Sequence, residues 1–202
     1  DLNEFLDHIG VETTVLAGWS MGVSVIWGYV DLFGTDRMSK AVFVDEPVSI
    51  YTHADWSEQE RLNAGGMTTS PERMIAAYQG APTNQQIVDM KVVQRAQMLD
   101  SPYAQNAMGL AEHIAGDPSY AMLVLFDHAM NDWRDVIETK LDLPVAVFSG
   151  EESNNLPSQK WIAQTVPEGQ LFNYASADDG DHFLMIKNPL KFVEDLRAFI
   201  ED

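Results

Sequence analysis

The sequence predicts an α/β protein: a mostly parallel sheet flanked by helices, with a helical insertion near its middle. Three observations carry this. Apolar runs of strand length at residues 13–17, 41–44, 144–149 and 170–174 are separated by stretches of helical spacing. The pentad Gly18-Trp19-Ser20-Met21-Gly22 stands between the first run and an apolar helix, the setting in which G-x-S-x-G forms a sharp strand-to-helix turn. Its glycines are expected where a side chain would clash as the backbone folds back. Residues 48–132 change character and read as short helices with few strands. The expected division is a core of residues 1–47 and 133–202 and an insertion of residues 48–132.

In order along the chain, residues 1–9 read as the tail of a helix, with Leu2, Phe5, Leu6 and Ile9 on one face and Gly10 as its stop. Strand 13–17 leads through the pentad into a helix over 23–33, and strand 41–44 ends at Asp45. Within the insertion, Ser57 and Glu60 make a capping box. Ser70-Pro71, Ser101-Pro102 and Asp117-Pro118 each set a capping side chain before a proline at the first helical position. Gly80 and Gly116 fit helix stops. Strand 144–149, a helix over 158–165, strand 170–174 and a last helix capped by Asn188-Pro189 complete the chain.

The 202 residues are 46% hydrophobic, enough for one well-buried core. The absence of cysteine removes disulfide scaffolds, thiolate metal sites and cysteine nucleophiles. A net charge of −19 repels phosphate backbones and anionic lipid, so neither nucleic acid nor a membrane is an expected partner. No stretch has the apolar length of a membrane span and no secretory signal opens the sequence, so the expected location is the cytoplasm. His, Asp and Glu fall at no zinc or EF-hand spacing, and no metal or cofactor is expected. The cluster Asp178-Asp179-Gly180-Asp181 reads as a polar turn whose charge helps orient His182.

In this setting Ser20 is the candidate nucleophile, and a serine hydroxyl needs a base to take its proton. His182 is the candidate base, in a short loop between the last strand and the capped final helix. His8 lies in the opening helix, and His53, His113 and His128 lie in the insertion. The backbone N–H of Met21 is the candidate oxyanion-hole donor. Trp19, beside the nucleophile, is the candidate pocket residue; it and Trp27 in the following helix each read as pocket or as core. Met67, Met74, Met90, Met98, Met108, Met122 and Met130 suit an adaptable apolar pocket, although ordinary helical core explains most of them.

Four landmarks resemble the α/β-hydrolase superfamily, in its cap-bearing esterase and haloperoxidase-like branch. They are the Gly18 to Gly22 elbow; Val42-Phe43-Val44-Asp45; Asp132-Trp133-Arg134-Asp135 with Leu143-Pro144-Val145; and Gly180-Asp181-His182-Phe183 with Asn188-Pro189. The resemblance implies an α/β-hydrolase fold with a helical cap, N-terminally truncated. The preceding strands of the family, and the loop that donates half of its oxyanion hole, have no counterpart here. Many members place the triad acid in a G-x-x-D turn after strand seven. Here that turn reads Gly150-Glu151-Glu152-Ser153, with a serine in the acid's place. A minority pattern puts the acid at the end of strand six, which makes Asp45 the preferred acid, with Glu152 and Glu46 as alternatives.

The implied function is a carboxylesterase-type serine hydrolase that forms an acyl-enzyme on Ser20 and takes small-molecule esters. A carbon–carbon bond hydrolase or a cofactor-free haloperoxidase (perhydrolase) on the same residues is an alternative, and so is an inactive fragment or binding module. The strands without counterpart imply a long exposed sheet edge, so a homo-oligomer or a second chain covering it is expected.

Overall fold

The computed structural model describes residues 2–65 and 118–202. In chain order the described elements are α1 (Leu2–His8), β1 (Thr14–Trp19), α2 (Met21–Phe33), β2 (Met38–Val44), α3 (Glu58–Ala64), α4 (Pro118–Met130), α5 (Arg134–Thr139), β3 (Val145–Gly150), α6 (Leu156–Thr165), β4 (Gly169–Tyr174), a 3-10 turn (Ser176–Asp178), α7 (Leu184–Lys187) and α8 (Pro189–Glu201). The strands form one sheet in the order β1-β2-β3-β4, every pair parallel. Parallel neighbours need a crossover connection, and α2 and α6 supply two of them.

The central strands β2 and β3 are apolar throughout their pairing because both of their faces are covered. Successive side chains alternate between the two faces. Phe43, Val145 and Val147 pack with Val23, Ile26 and Trp27 of α2, Ile137 of α5 and Ile162 of α6. Val42, Val44, Ala146 and Phe148 pack instead with Leu184 of α7 and Phe199 of α8. Phe148 stacks on Phe172 of β4 with ring centroids 4.6 Å apart. Trp27 is fully buried against Phe43 and Trp133, so it belongs to the core.

The expected parallel sheet flanked by helices is present, with differences of detail, while most of the expected insertion over residues 48–132 lies outside the described residues. β2 starts at Met38 and β4 at Gly169, earlier than the apolar runs, because pairing Thr14 with Met38 and Val145 with Gly169 extends the ladder past the last apolar residue. On α1 only part of the expected face is buried: Leu6 enters the core, whereas Phe5 is 56% and Ile9 48% exposed. Residues 5 and 6 are about 100° apart around a helix, so both cannot face inward, and Ile9 falls beyond the last helical residue. Val25, Leu32 and Phe33 of α2 are exposed as well.

The capping box forms on α3. Ser57 Oγ accepts from Glu60 N–H at 3.2 Å, and Ser57 N–H donates to the Glu60 carboxylate at 2.7 Å. Asn188 caps α8 by accepting from Lys191 N–H. α4 begins at Pro118. The expected caps at Ser70 and Ser101, the stops at Gly80 and Gly116, His113, the residues Met67, Met74, Met90, Met98 and Met108, and the side chain of Met122 lie outside the described residues. Among the described residues no helix is long and apolar enough to cross a membrane.

Candidate active site

Ser20 and Asp45 each stand one residue beyond a strand, and the ladder carries on to them. Ser20 N–H donates to the Val44 carbonyl at 2.9 Å, and Asp45 N–H donates to the Phe148 carbonyl at 2.9 Å. Both therefore lie at the carboxyl edge of a parallel sheet, where such sheets open their binding crevices. Both also have φ of 52°. A left-handed backbone at a residue with a side chain costs on the order of 1–3 kcal/mol, and such strain concentrates at functional positions. For Ser20 it comes from the elbow. A Cβ on Gly18 would stand 2.6 Å from the Gly22 carbonyl, so the chain folds back only because Gly18 has none. Gly22 has open space beside it, so the clash expected of both glycines applies to the first alone.

Asp45 is completely buried. A buried carboxylate is costly unless its lone pairs are filled. Here Ser149 Oγ donates to Oδ1 at 2.5 Å, while Ser153 Oγ at 2.8 Å and Asn155 Nδ2 at 3.3 Å reach Oδ2. Asn155 Nδ2 also donates to the Asp45 backbone carbonyl at 3.1 Å. His182 Nδ1 lies 2.8 Å from the same Oδ2. Ser153 is the serine in the place where a G-x-x-D turn has its acid. In this structure it donates to the carboxylate that arrives from the neighbouring strand.

His182 sits in the loop after β4, with its side chain one-third exposed. Backbone packing brings this loop over the sheet. A Cβ on Gly150 would stand 2.0 Å from the Gly180 carbonyl, so the two glycines let main chain touch main chain. Glu152 N–H then donates to the Gly180 carbonyl at 2.8 Å. Trp19 Nε1–H donates to the His182 carbonyl at 2.8 Å, with the two rings 5.3 Å apart. Asp181 accepts from Phe183 N–H at 2.7 Å and pairs with Lys187 at 2.7 Å, so its charge shapes the turn that carries His182. Tyr174, at the end of β4, donates to Asp195 at 2.8 Å; burial and that acceptor push its phenol well above the usual range and keep it neutral.

Ser20, Met21, Asp45 and His182 line one cavity of about 590 Å³, with Pro47, Ile50, Leu125 and Phe183 as apolar wall. Because Nδ1 of His182 is engaged by Asp45, its Nε2 is the nitrogen left for a proton transfer. Trp19 is not among the cavity's lining residues; its indole stands behind His182, donating to that residue's carbonyl. Met130 is exposed and does not line the cavity either. Among the described residues, no group of three or more His, Asp or Glu is placed to hold a metal ion.

Solved structures of similar shape share this architecture. An esterase from Exiguobacterium antarcticum matches at a TM-score of 0.75 and 13% identity, over 100% of this chain and 72% of its own. A bromoperoxidase from Bacillus anthracis matches at 0.67 and 19%, over 100% and 72%. An esterase from Rhodococcus sp. matches at 0.60 and 20%, over 100% and 70%. This chain has the α/β-hydrolase fold. No family model and no curated protein sequence matches it.

Within this α/β-hydrolase fold, the two alternative acids are engaged away from His182. Glu152 accepts from Ser176 Oγ at 2.5 Å. Glu46, buried beside Asp45, accepts from Ser24 Oγ at 3.0 Å and pairs with His128 Nε2 at 3.0 Å. Gln159 Nε2 also donates to the Glu46 backbone carbonyl. Sequence reasoning missed Ser149, Ser153 and Asn155 as donors to Asp45, and His128 as a wall of the cavity. No spacing signals these contacts, since each joins residues far apart in the chain.

Proposed function

We propose that this chain is a serine hydrolase of carboxylic esters, with Ser20 as nucleophile, His182 as general base and acid, and Asp45 as the acid that orients it. The observation that carries this is the buried Asp45 carboxylate bonded to His182 Nδ1 in the wall of a cavity that Ser20, with its strained backbone, also lines. Ser20 Oγ attacks the ester carbonyl carbon while His182 Nε2 takes the hydroxyl proton. The Met21 N–H, at the first turn of α2, holds the oxygen that gains charge. His182 then gives the proton to the departing alcohol, leaving an acyl group on Ser20. Water, deprotonated by the same nitrogen, releases the acid. The apolar wall of Met21, Ile50, Leu125 and Phe183 suits a short or medium acyl chain.

Esterases among the structures of similar shape support this reading. The bromoperoxidase among them supports a second one, perhydrolysis, in which peroxide replaces water at the acyl-enzyme. The working form is proposed as an oligomer, or a complex with a second chain, that covers the edge of β1 left unpaired among the described residues and the exposed Phe5, Leu32 and Phe33.

Fluorophosphonate labelling with peptide mapping tests the chemistry. One adduct on Ser20, and p-nitrophenyl butyrate hydrolysis that disappears in Ser20→Ala, is the expected result. Hydrolysis surviving in Ser20→Ala overturns the mechanism, and an unlabelled Ser20 points to a binding module. Peroxide-dependent halogenation faster than ester hydrolysis selects the second reading. A monomer with full activity by light scattering removes the oligomer.

A further inference from the structure

Asn155 stands at the N-cap of α6, where an asparagine side chain ordinarily accepts from the first free N–H groups of the helix. Here the side chain makes no capping hydrogen bond. Its amide nitrogen is turned to Asp45 instead, reaching the backbone carbonyl at 3.1 Å and Oδ2 at 3.3 Å. Both partners are acceptors, so the amide has one orientation: its oxygen in that place would face two oxygens. Asn155 is buried, and it lines the same cavity as Ser20 and His182.

The same residue sets a second donor. Asn155 N–H donates to Ser153 Oγ at 3.0 Å. That fills a lone pair of the hydroxyl and leaves its one proton to point at Asp45 Oδ2, 2.8 Å away. Oδ2 is also the oxygen 2.8 Å from His182 Nδ1. The side chain of Asn155 directly, and its main chain through Ser153, therefore converge on the one carboxylate oxygen that meets His182. The bond to the Asp45 carbonyl also holds the peptide that follows a φ of 52°, a conformation that persists only where its surroundings over-determine it.

We propose that Asn155 is a positioning residue for the acid: it aims the Asp45 carboxylate so that Oδ2 meets His182 Nδ1, and its side chain serves that contact in place of capping α6. This rests on the ester-hydrolase reading and deepens it by one residue. Asn155 acts through Asp45 and touches no reacting atom.

Asn155→Ser and Asn155→Asp separate this role from a structural one, because both residues are good N-caps and aspartate also suits the positive end of a helix. A capping role predicts wild-type rates and an equal or higher melting temperature in both. The positioning role predicts that kcat for p-nitrophenyl butyrate falls roughly 10- to 100-fold in Asn155→Ser, with KM within about threefold of wild type. It should fall further in Asn155→Asp, whose carboxylate stands against that of Asp45. The loss must also run through Asp45. In an Asp45→Asn background, where the charge is already gone, adding Asn155→Ser should cost less than about threefold more. Either single variant keeping more than about half of wild-type kcat, or an equal loss in both backgrounds, overturns the proposal. The geometry is read separately in Ser20→Ala protein from the proton resonance of His182 Nδ1–H. It should move upfield when Asn155→Ser is added, as the contact with Oδ2 loosens. An unchanged resonance overturns the proposal even if Ser20 is a working nucleophile, and a moved one supports it even if Ser20 proves unreactive.

Discussion

Replacing Asp45 with asparagine and then offering a carboxylate from residue 153 tests where the charge behind His182 must stand. In Asp45→Asn the amide oxygen can keep the Oδ2 position, accepting from His182, Ser153 and Asn155 at distances now between 2.8 and 3.3 Å. The amide nitrogen then meets Ser149 Oγ, whose hydroxyl can turn from donor to acceptor. The fold should therefore survive with little change in melting temperature. What disappears is the negative charge that stabilises the imidazolium, and kcat should fall roughly 10³- to 10⁴-fold. Ser153 Oγ is 2.8 Å from the Oδ2 that His182 itself contacts at 2.8 Å, so an aspartate at residue 153 brings a carboxylate within reach of the same ring. Ser153→Asp alone sets two carboxylates against each other and should lower activity. In the double variant Asp45→Asn/Ser153→Asp that clash is gone, and kcat should recover at least about tenfold over Asp45→Asn. The assay is p-nitrophenyl butyrate hydrolysis, with the rate of fluorophosphonate labelling as a check on Ser20 reactivity. Asp45→Asn keeping more than about a tenth of wild-type kcat would refute the role of Asp45. A double variant no faster than the single one would refute the claim that residue 153 is a second seat for the acid.

Gly150→Ala forces a Cβ to 2.0 Å from the Gly180 main chain, which has no flexible end to yield; a cost of about 3 kcal/mol should lower Tm by roughly 6–12 °C, and an unchanged melting curve would contradict the packing. Trp19→Phe keeps an aromatic ring against His182 and loses the 2.8 Å bond to its carbonyl; one lost hydrogen bond of about 1 kcal/mol should lower Tm by roughly 2–4 °C, and kcat should fall about fivefold if the same bond holds His182 in place. In α3, hydrogen bonds from the Ser57 side chain and backbone hold the Glu60 carboxyl below its ordinary value. A depressed folded-state value means that this stabilisation is present above the ordinary carboxylate range and is lost as pH falls through the lowered value. Amide exchange at the start of α3 should therefore accelerate on acidification, and Ser57→Ala should make it fast at every pH.

Much of the site was legible because its residues sit where strands end. Ser20 was marked by an elbow whose flanks were a strand and a helix, and Asp45 closed a run of apolar residues that could only be a covered strand. His182 stood between a strand and a capped helix. What could not be read was what surrounds the acid. Ser149, Ser153 and Asn155 reach Asp45 because β2 and β3 are neighbours in register, with Val44 opposite Phe148. Periodicity along one strand carries no trace of which strand lies beside it. The same holds for Glu46 and His128, joined across 82 positions, and for Trp19, whose side of the sheet depended on where the His182 loop would lie. The exposed Phe5 and Ile9 show the opposite limit: helical spacing names an apolar face without saying how much of it is covered.

Between β2 and β3, much of the connecting chain is pinched off before it returns to the sheet. Ser49 and Asp132 form an antiparallel bridge, and Trp133 N–H donates to the Val48 carbonyl at 3.2 Å. This clasp ties the two ends of the excursion together at its base. Loop-closure entropy rises only slowly with length once the ends are held. The excursion can thus be exchanged for one of another size or composition while Ser20, Asp45 and His182 keep their places. The clasp thus sets the strand ends that carry Ser20 and Asp45 apart from the span it closes, so a change of length between residues 49 and 132 is absorbed on the far side of the bridge.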